Sequence, residues 1–329
     1  MALTDIGIDL GSSNLCVYKK EKGIIIKEPS VVAYDKDNDK IVAFGEEARQ
    51  AVQHKAGSVV AIRPLKTGVI TDYALAEAML HHFLMKAMGR RSFRKPSVSL
   101  CLPKGTTSIE RRALEESSYQ AGARDVTIVD GAVASAIGAG IDITKPFGNM
   151  VVDIGGGTTD IAVISLGDTV IEESLKIAGS TFDEVISRYI RRTQSLFIDE
   201  SSAETIKMRI GNAARRPNVE TISITGRSVT TGLAKTVSIN SEEIRQALSD
   251  YTNRIVEAIH GVLEKTPPEL AADIAQRGIV LTGGGSLLQG LEELISERTG
   301  INVMTAERPD EAAAEGTGRY VDMMEILGD

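Results

Sequence analysis

One stretch near the middle of the chain constrains the fold more than any other. Residues 150–164 (MVVDIGGGTTDIAVI) run from an apolar segment through an acid, three glycines and two threonines into a second apolar segment. This order predicts a β-hairpin whose tip carries almost no side chains. Glycine lets backbone N–H groups face one anion from several directions, and threonine hydroxyls add further donors. The tip therefore suits a polyphosphate, although the geometry of a tight turn alone also explains such glycines.

The same pattern occurs near the start of the chain, in residues 6–18 (IGIDLGSSNLCVY). Superposing Asp9 on Asp153 aligns the segment 11–13 with the segment 155–157. Two such hairpins indicate two similar halves that bind one ligand between them, each contributing a loop and an acid. Asp153 is expected to face the magnesium of a nucleotide through metal-bound water, because magnesium dehydrates reluctantly.

A third glycine-rich tip lies in residues 279–288 (IVLTGGGSLL). The pattern predicts a strand that ends in glycines and is followed directly by a helix. Backbone can then approach a flat or charged group closely at the helix N-terminus. A tight strand-to-helix turn without a ligand is the alternative.

Composition limits the class of protein. A chain of 329 residues with 42% hydrophobic residues is long enough for two domains with separate cores. The net charge of −8 argues against bulk attraction to nucleic acid or to an anionic membrane. Cys16 and Cys101 lie in apolar segments and are expected to be small buried hydrophobes in a reducing cytoplasm. We expect no signal peptide, and no apolar segment approaches the roughly 20 residues of a membrane span.

Local signals predict alternating strands and helices, which favours an α/β sheet with helices on its faces. Asp72 and Asn240 are expected to be helix N-caps, and residues 107–110 (TSIE) have the spacing of a capping box. A helix is expected over residues 202–215. Another is expected after Thr266, with Pro267 in its first turn.

A basic loop, residues 89–96 (GRRSFRKP), is unusual in an acidic protein. It is either a solvated turn or a membrane contact, in which Phe93 inserts and basic residues meet anionic headgroups at about 1 kcal/mol each. The basic residues are Arg90, Arg91, Arg94 and Lys95.

Three segments resemble the phosphate-one, phosphate-two and adenosine motifs of the actin, heat-shock chaperone and sugar kinase superfamily: residues 9–12 (DLGS), 153–160 (DIGGGTTD) and 281–285 (LTGGG). Further segments are similar to the bacterial actin MreB family over essentially the whole chain: residues 28–33 (EPSVVA), 110–113 (ERRA), 136–140 (AIGAG), 266–270 (TPPEL) and 316–318 (GTG). The resemblance implies an actin-like ATPase fold of class α/β, with two ribonuclease-H-like domains around a nucleotide cleft. Domain I is expected at residues 1–145 plus about 310–329, with a small subdomain at about 33–70. Domain II is expected at residues 146–309, with a small subdomain at about 180–240.

The resemblance also implies ligands and partners. ATP and Mg²⁺ are expected in the cleft, and head-to-tail filaments are expected to pair into double protofilaments. These would lie on the inner face of the cytoplasmic membrane, where they help to position membrane proteins of cell-wall elongation in rod-shaped cells. The basic loop with Phe93 falls where some family members carry an apolar membrane-inserting loop.

Site residues carry over by position. Asp9 and Asp153 should order the water molecules of magnesium. Glu204 and Lys207 match the ribose and adenine contacts. The phosphate and adenosine segments are Gly11, Ser12, Ser13 and Asn14, then Gly155, Gly156, Gly157 and Thr158, and finally Gly283, Gly284 and Gly285.

The chain departs from the family pattern before residues 136–140. The family usually has two glutamates and a proline there, and the second glutamate polarises the attacking water. This chain has Asp130-Gly131-Ala132, so Gly131 holds that position. Because glycine has no side chain to orient water, hydrolysis is expected to be slow by about 10² to 10⁴. Two exceptions are open: Asp130 reaches in, or Asp160 and Thr159 hold the water. Alternatively, Asp130 is simply the N-cap of the next helix.

Three function classes are compatible with the sequence. The first is an ATP-dependent cytoskeletal polymer, favoured by the full-length family pattern. The second is a small-molecule kinase, for which no acceptor pocket can be named. The third is a monomeric scaffold or chaperone-like ATPase.

Overall fold

The structure is a computed structural model that describes residues 5–54, 58–89 and 95–328. Its strands are β1 (Ile6–Leu10), β2 (Asn14–Lys19), β3 (Gly23–Pro29), β4 (Val32–Asp35), β5 (Lys40–Phe44), β6 (Val59–Ile62), β7 (Leu65–Lys66), β8 (Val69–Ile70), β9 (Ser97–Cys101), β10 (Asp125–Val129), β11 (Asn149–Ile154), β12 (Thr159–Ser165), β13 (Asp168–Leu175), β14 (Leu196–Phe197), β15 (Thr221–Ser228), β16 (Ala234–Asn240), β17 (Ile279–Thr282) and β18 (Val303–Thr305). Its α-helices are α1 (Gly45–His54), α2 (Tyr73–Met88), α3 (Ser108–Gln120), α4 (Gly131–Gly138), α5 (Gly179–Gln194), α6 (Glu200–Ile210), α7 (Ser241–Lys265), α8 (Pro268–Arg277), α9 (Leu291–Thr299) and α10 (Ala312–Gly328).

Two large sheets share one topology. The first has the order β10-β9-β1-β2-β3 and the second the order β13-β12-β11-β17-β18. In each sheet one central strand pairs in parallel with a later strand and antiparallel with the next strand of its hairpin. The hairpins β1–β2 and β11–β12 are the two glycine-tipped hairpins predicted from the sequence. The predicted α/β class and the duplication are therefore confirmed.

Each half also carries a small sheet. The first small sheet has the order β5-β4-β6 and packs against α1, and the second has the order β14-β15-β16. Buried apolar side chains join the second small sheet to the core of the second large sheet, which includes Phe182, Ile224 and Ile239. The predicted domain boundaries stay a prediction, although these segments fall within the ranges expected for the subdomains.

Helices α4 and α10 connect the two halves. α4 packs on β11 and β12, whereas α10 packs on β1, β2 and β9, and the two helices contact each other. Glycine makes this close approach possible: a β-carbon at Gly316 would overlap the carbonyl oxygen of Ala134, and one at Gly138 would overlap that of Ala312. The C-terminal helix therefore closes the base of the first half against the second.

Several local predictions are confirmed. Asp72 and Asn240 cap α2 and α7, and Thr107 forms a capping box with Glu110 at α3. Others were wrong by a few residues. The helix predicted over 202–215 is α6 and ends at Ile210, because the chain turns extended at Gly211.

Two predicted helix starts are also corrected. Pro267 is the N-cap of α8, and Pro268 is the first helical residue. The third glycine tip leads into a 3₁₀ turn, Gly284–Leu287, and α9 begins only at Leu291. A left-handed Gly290 separates the two, so the expected α-helix N-terminus does not follow the strand directly.

The predicted membrane loop lies largely outside the described residues, namely Arg90, Arg91, Phe93 and Arg94. Lys95 is described and is exposed. Over residues 5–54, 58–89 and 95–328, no helix combines the length and hydropathy that a membrane span requires.

Candidate functional site

A cleft of about 800 Å³ opens between the two large sheets. It is lined by all the residues that the sequence analysis assigned to nucleotide or metal: Asp9, Gly11, Ser12, Ser13, Asn14, Asp153, Gly155, Gly156, Gly157, Thr158, Glu204, Lys207, Gly283, Gly284 and Gly285. Asp130 and Asp160 line it as well, whereas Thr159 does not. The structure thus brings three sequence-distant glycine tips to one site.

The two hairpin tips face each other at close range. A β-carbon at Gly157 would come within 2.7 Å of Ser12 Oγ, and one at Gly156 would overlap the Ser13 side chain. Larger residues at these positions would push the tips apart. Glycine is therefore required here by the spacing of two segments that are far apart in sequence.

Carbonyl oxygens of both tips accept hydrogen bonds from neighbouring groups. The Ser30 hydroxyl donates to the carbonyl of Gly11 at 2.6 Å, and the Ser30 N–H donates to that of Ser13 at 2.8 Å. At the second tip, N–H groups at the start of α5 donate to the carbonyls of Gly155 and Gly156 at 3.1 and 2.9 Å. With these acceptors engaged, the tips offer mainly N–H and hydroxyl donors, which is the chemistry that binds phosphate.

Two carboxylates lie behind the tips, one from each sheet. Burial and the nearby Asp153 raise the pKa of Asp9 to about 7. Burial and the charge of Asp160 raise the pKa of Asp153 to about 6, against the hydrogen bond from Ser135 Oγ at 2.6 Å. Both groups are costly to ionise when no cation is present. A divalent cation between them would remove this cost.

This donor set fits hydrated magnesium better than a fully protein-bound metal. In the part of the chain that the structure describes, no three His, Cys, Asp or Glu side chains cluster closely enough to hold a metal. Magnesium normally keeps several waters and takes one or two carboxylates plus phosphate oxygens. Asp9 and Asp153 match that requirement.

The far end of the cleft is built from α5, α6 and the third tip. Lys207 Nζ donates to Asp183 Oδ2 at 2.8 Å and to the Gly179 carbonyl at 3.1 Å. Burial nevertheless raises the pKa of Asp183 to about 6. The second oxygen of Asp183 is buried without a hydrogen-bond partner among the described residues.

The third tip approaches the second hairpin so closely that only glycine fits. Gly283 has φ 77°, and a β-carbon there would overlap the carboxylate of Asp153 and the carbonyl of Ile154. At Gly285 a β-carbon would come within 2.6 Å of the Ile154 side chain. This tip therefore offers bare backbone to a flat ligand.

Of the three residues proposed to orient water, Asp130 and Asp160 line the cleft and Thr159 does not. Asp130 caps α4, and its Oδ1 accepts from the N–H groups of Ala132 and Val133 at 3.0 and 3.2 Å. Thr159 is fully buried and its hydroxyl donates to the Ile177 carbonyl at 2.6 Å, so the prediction that it holds water in the cleft was wrong. Asp160 does face the cleft. Its Oδ2 accepts from Thr158, and its Oδ1 is buried with no partner in the described part of the chain.

Sequence reasoning missed Lys104, Glu172 and Asp183, which line the cleft, and the buried Ser135, which donates a hydrogen bond to Asp153. Strand alternation would have turned Glu172 toward the same face as Asp160 once the β12–β13 pairing was known. That pairing includes a register shift at Val163 and Ile164, which no local pattern predicts. Asp183 carried a usable signal, because it lies four residues after Gly179 in the first turns of α5.

Two sheets of one topology around a glycine-lined cleft, joined at their base by two helices, define an actin-like fold. The sequence model of the family described as "MreB/Mbl protein" matches residues 3–328. The chain belongs to this family.

Curated relatives share its full length. The chain is 48% identical to the cell shape-determining protein Mbl of Bacillus subtilis (strain 168) over 327 residues, covering 99% of this chain and 98% of that protein. It is 44% identical to the cell shape-determining protein MreB of Escherichia coli (strain K12) over 334 residues, covering 100% and 96%.

Solved structures agree with the fold. MreB5 of Spiroplasma citri bound to AMPPNP matches with a TM-score of 0.91 at 35% identity, covering 99% of this chain and 98% of that one. A MamK double helical filament matches with a TM-score of 0.79 at 23% identity, covering 96% and 98%, and supports the fold alone.

Proposed function

We propose that this protein is a bacterial actin homologue that binds ATP with magnesium in the cleft and polymerises into filaments that help to maintain rod cell shape. The observation that carries the proposal is the pair of glycine tips, one from each half, that close in front of Asp9 and Asp153. Structures of MreB5 from Spiroplasma citri bound to AMPPNP and to ADP, at 35% and 36% identity, support nucleotide binding.

Each part of the cleft has a role in this proposal. The N–H and hydroxyl groups of both tips hold the phosphates, and Asp9 and Asp153 hold water molecules of magnesium. The ion supplies positive charge that neutralises the phosphates. Glu204 and Lys207 contact the ribose and adenine, with Lys207 held in place by Asp183. The third tip, from Gly283 to Gly285, forms the floor under the adenosine.

Calorimetry with Mg-ATP tests nucleotide binding directly. The wild-type protein is expected to release or absorb heat with a 1:1 stoichiometry, and Asp153→Asn is expected to weaken binding about 10-fold or more. Asp37→Asn makes the same chemical change at an exposed turn and serves as the control. Absence of any heat with the wild-type protein would refute the proposal.

Polymerisation is tested by pelleting and electron microscopy. Family membership supports head-to-tail filaments paired into double protofilaments. Mg-ATP is expected to move the protein into the pellet and to produce filaments, and a clear solution at all protein concentrations would contradict this. A clear solution would favour a monomeric ATPase or a kinase instead.

We further propose a cytoplasmic location at the inner face of the cell membrane, with membrane proteins of cell-wall elongation as partners and no nucleic acid. Phe93 and the neighbouring basic residues would contact the lipid. Flotation with anionic liposomes should show that Phe93→Ala/Arg91→Glu loses binding, whereas Lys22→Glu in the β2–β3 turn keeps it. Equal flotation of both variants would end the membrane proposal.

A further inference from the structure

The end of the cleft next to α4 has no side chain at Gly131, the position at which the sequence analysis expected a glutamate. Among the described residues, a β-carbon at Gly131 would meet only Cys101 Sγ, at 3.5 Å. The cap hydrogen bonds of Asp130 point its Oδ1 back into α4, and releasing them would cost about 1 kcal/mol. Neither position therefore offers a freely oriented carboxylate.

Glu172 approaches the same end from β13 of the second large sheet, which α4 also contacts. It lies on β13, paired in register with Ala162 of β12, while Asp160 pairs with Ser174. Because strand residues two apart share a face, Glu172 and Asp160 lie on one face of the sheet. Both side chains line the cleft, together with Asp130 and Gly131.

Glu172 is held by a residue from the other half of the protein. Lys104, in the loop that follows β9, lies 2.6 Å from Glu172 Oε1, and the Glu172 side chain is only 17% exposed. Burial raises the pKa of Glu172, as do the charges of Asp130 and Asp160, while Lys104 opposes them. A carboxylate in such surroundings accepts a hydrogen bond from water more strongly than an exposed one.

We propose that Glu172 is the carboxylate that orients the attacking water, replacing from β13 the side chain that Gly131 lacks. This inference rests on the proposed ATP binding. The water oxygen bonds to the terminal phosphorus of ATP as the bond to the bridging oxygen of ADP breaks. The products are ADP and inorganic phosphate, and the water proton passes to the Glu172 carboxylate and then to solvent. Hydrolysis is consequently faster than Gly131 alone implies.

The chain provides a matched control on the same strand. Glu173 is adjacent, carries the same charge and pairs with Lys265 at 3.3 Å, outside the residues that line the cleft. Single-turnover hydrolysis is measured for wild type, Glu172→Gln and Glu173→Gln, alongside calorimetric affinity for the non-hydrolysable analogue AMPPNP. Glu172→Gln is expected to slow hydrolysis by about 10² or more while AMPPNP affinity changes less than about 3-fold. Glu173→Gln should change neither.

Two further readouts separate orientation of water from simple structural support. The wild-type rate should fall as the pH drops through the raised pKa of Glu172, and this dependence should vanish in Glu172→Gln. Adding Gly131→Glu to Glu172→Gln should restore much of the rate, because a β-carbon at 131 would meet Cys101 Sγ only at an ordinary van der Waals distance.

Each outcome decides a different question. Failure of the wild-type protein to bind AMPPNP would remove the proposed function. Binding without wild-type hydrolysis, equal losses in the two glutamine variants, or unchanged hydrolysis in Glu172→Gln would overturn the role of Glu172 alone.

Discussion

The two partly buried acids of the cleft, Asp9 and Asp153, should make the nucleotide-free protein less stable as the pH rises. Burial and Asp153 raise the pKa of Asp9 to about 7 in the folded protein, from its ordinary value of 3.8. A raised folded pKa means that the folded state binds the proton more tightly. The stabilisation is therefore complete below about pH 4 and is lost as the pH rises through 7.

The size of this effect follows from the pKa. Between pH 5.5 and pH 8, ionisation of Asp9 should cost the folded state about 2 kcal/mol, at 1.4 kcal/mol per pKa unit. Asp9→Asn cannot ionise. The free energy of unfolding of Asp9→Asn minus that of the wild type should therefore be about 2 kcal/mol larger at pH 8 than at pH 5.5. The affinity of Asp9→Asn for Mg-ATP should drop about 10-fold or more.

The assay is urea denaturation without nucleotide at both pH values, followed by calorimetry with Mg-ATP. Asp37→Asn, in an exposed turn, should follow the wild type at both pH values. If Asp9→Asn shifts stability equally at pH 5.5 and pH 8, or leaves Mg-ATP affinity unchanged, the electrostatic reasoning about the cleft is wrong.

Three further predictions concern proton release on binding, the packing of α10 on α4, and the N-cap of α3. Binding of Mg-ATP should release about 1.4 protons at pH 6 but about 0.1 at pH 8, because Asp9 and Asp153 must ionise. Calorimetry in buffers of different ionisation enthalpy measures the number of protons released. Equal release at both pH values would contradict this prediction. Gly316→Ala should lower the free energy of unfolding by about 1–3 kcal/mol through overlap with α4. Gly261→Ala, near the C-terminal end of α7, where a β-carbon would meet only Glu173 Oε2 at 3.9 Å among the described residues, should instead raise it by up to about 1 kcal/mol. The same sign for both glycines in urea denaturation would refute the packing argument. Thr107→Ala removes the cap of α3 and should cost about 1 kcal/mol with no change in nucleotide affinity.

The hairpins could be predicted because their information is local. The apolar segments on either side of Gly155 and its neighbours specify both strands of the hairpin and its tip. The N-cap of α4 could also be predicted, because Asp130 is a residue type that caps helices and directly precedes the helix. Alternation along β12 also separates Asp160, which faces the cleft, from the buried Thr159. That distinction was available in the sequence.

Other parts of the site depend on contacts between distant segments. The pairing of Glu172 with Lys104 joins β13 to the loop after β9, so neither residue carries a local sign of its partner. The helix expected after the third tip was wrong because Gly290 takes a left-handed conformation and delays α9. The need for glycine at 156 arises from Ser13, a residue on the other hairpin.

The position of α10 has a consequence for protein synthesis. Domains generally begin to fold while the chain is still leaving the ribosome. The first large sheet can form early, but its side that contacts α10 stays bare until the C-terminus emerges. A prematurely terminated chain would expose Gly7, Gly138 and their apolar surroundings, and would be a ready substrate for cellular proteases.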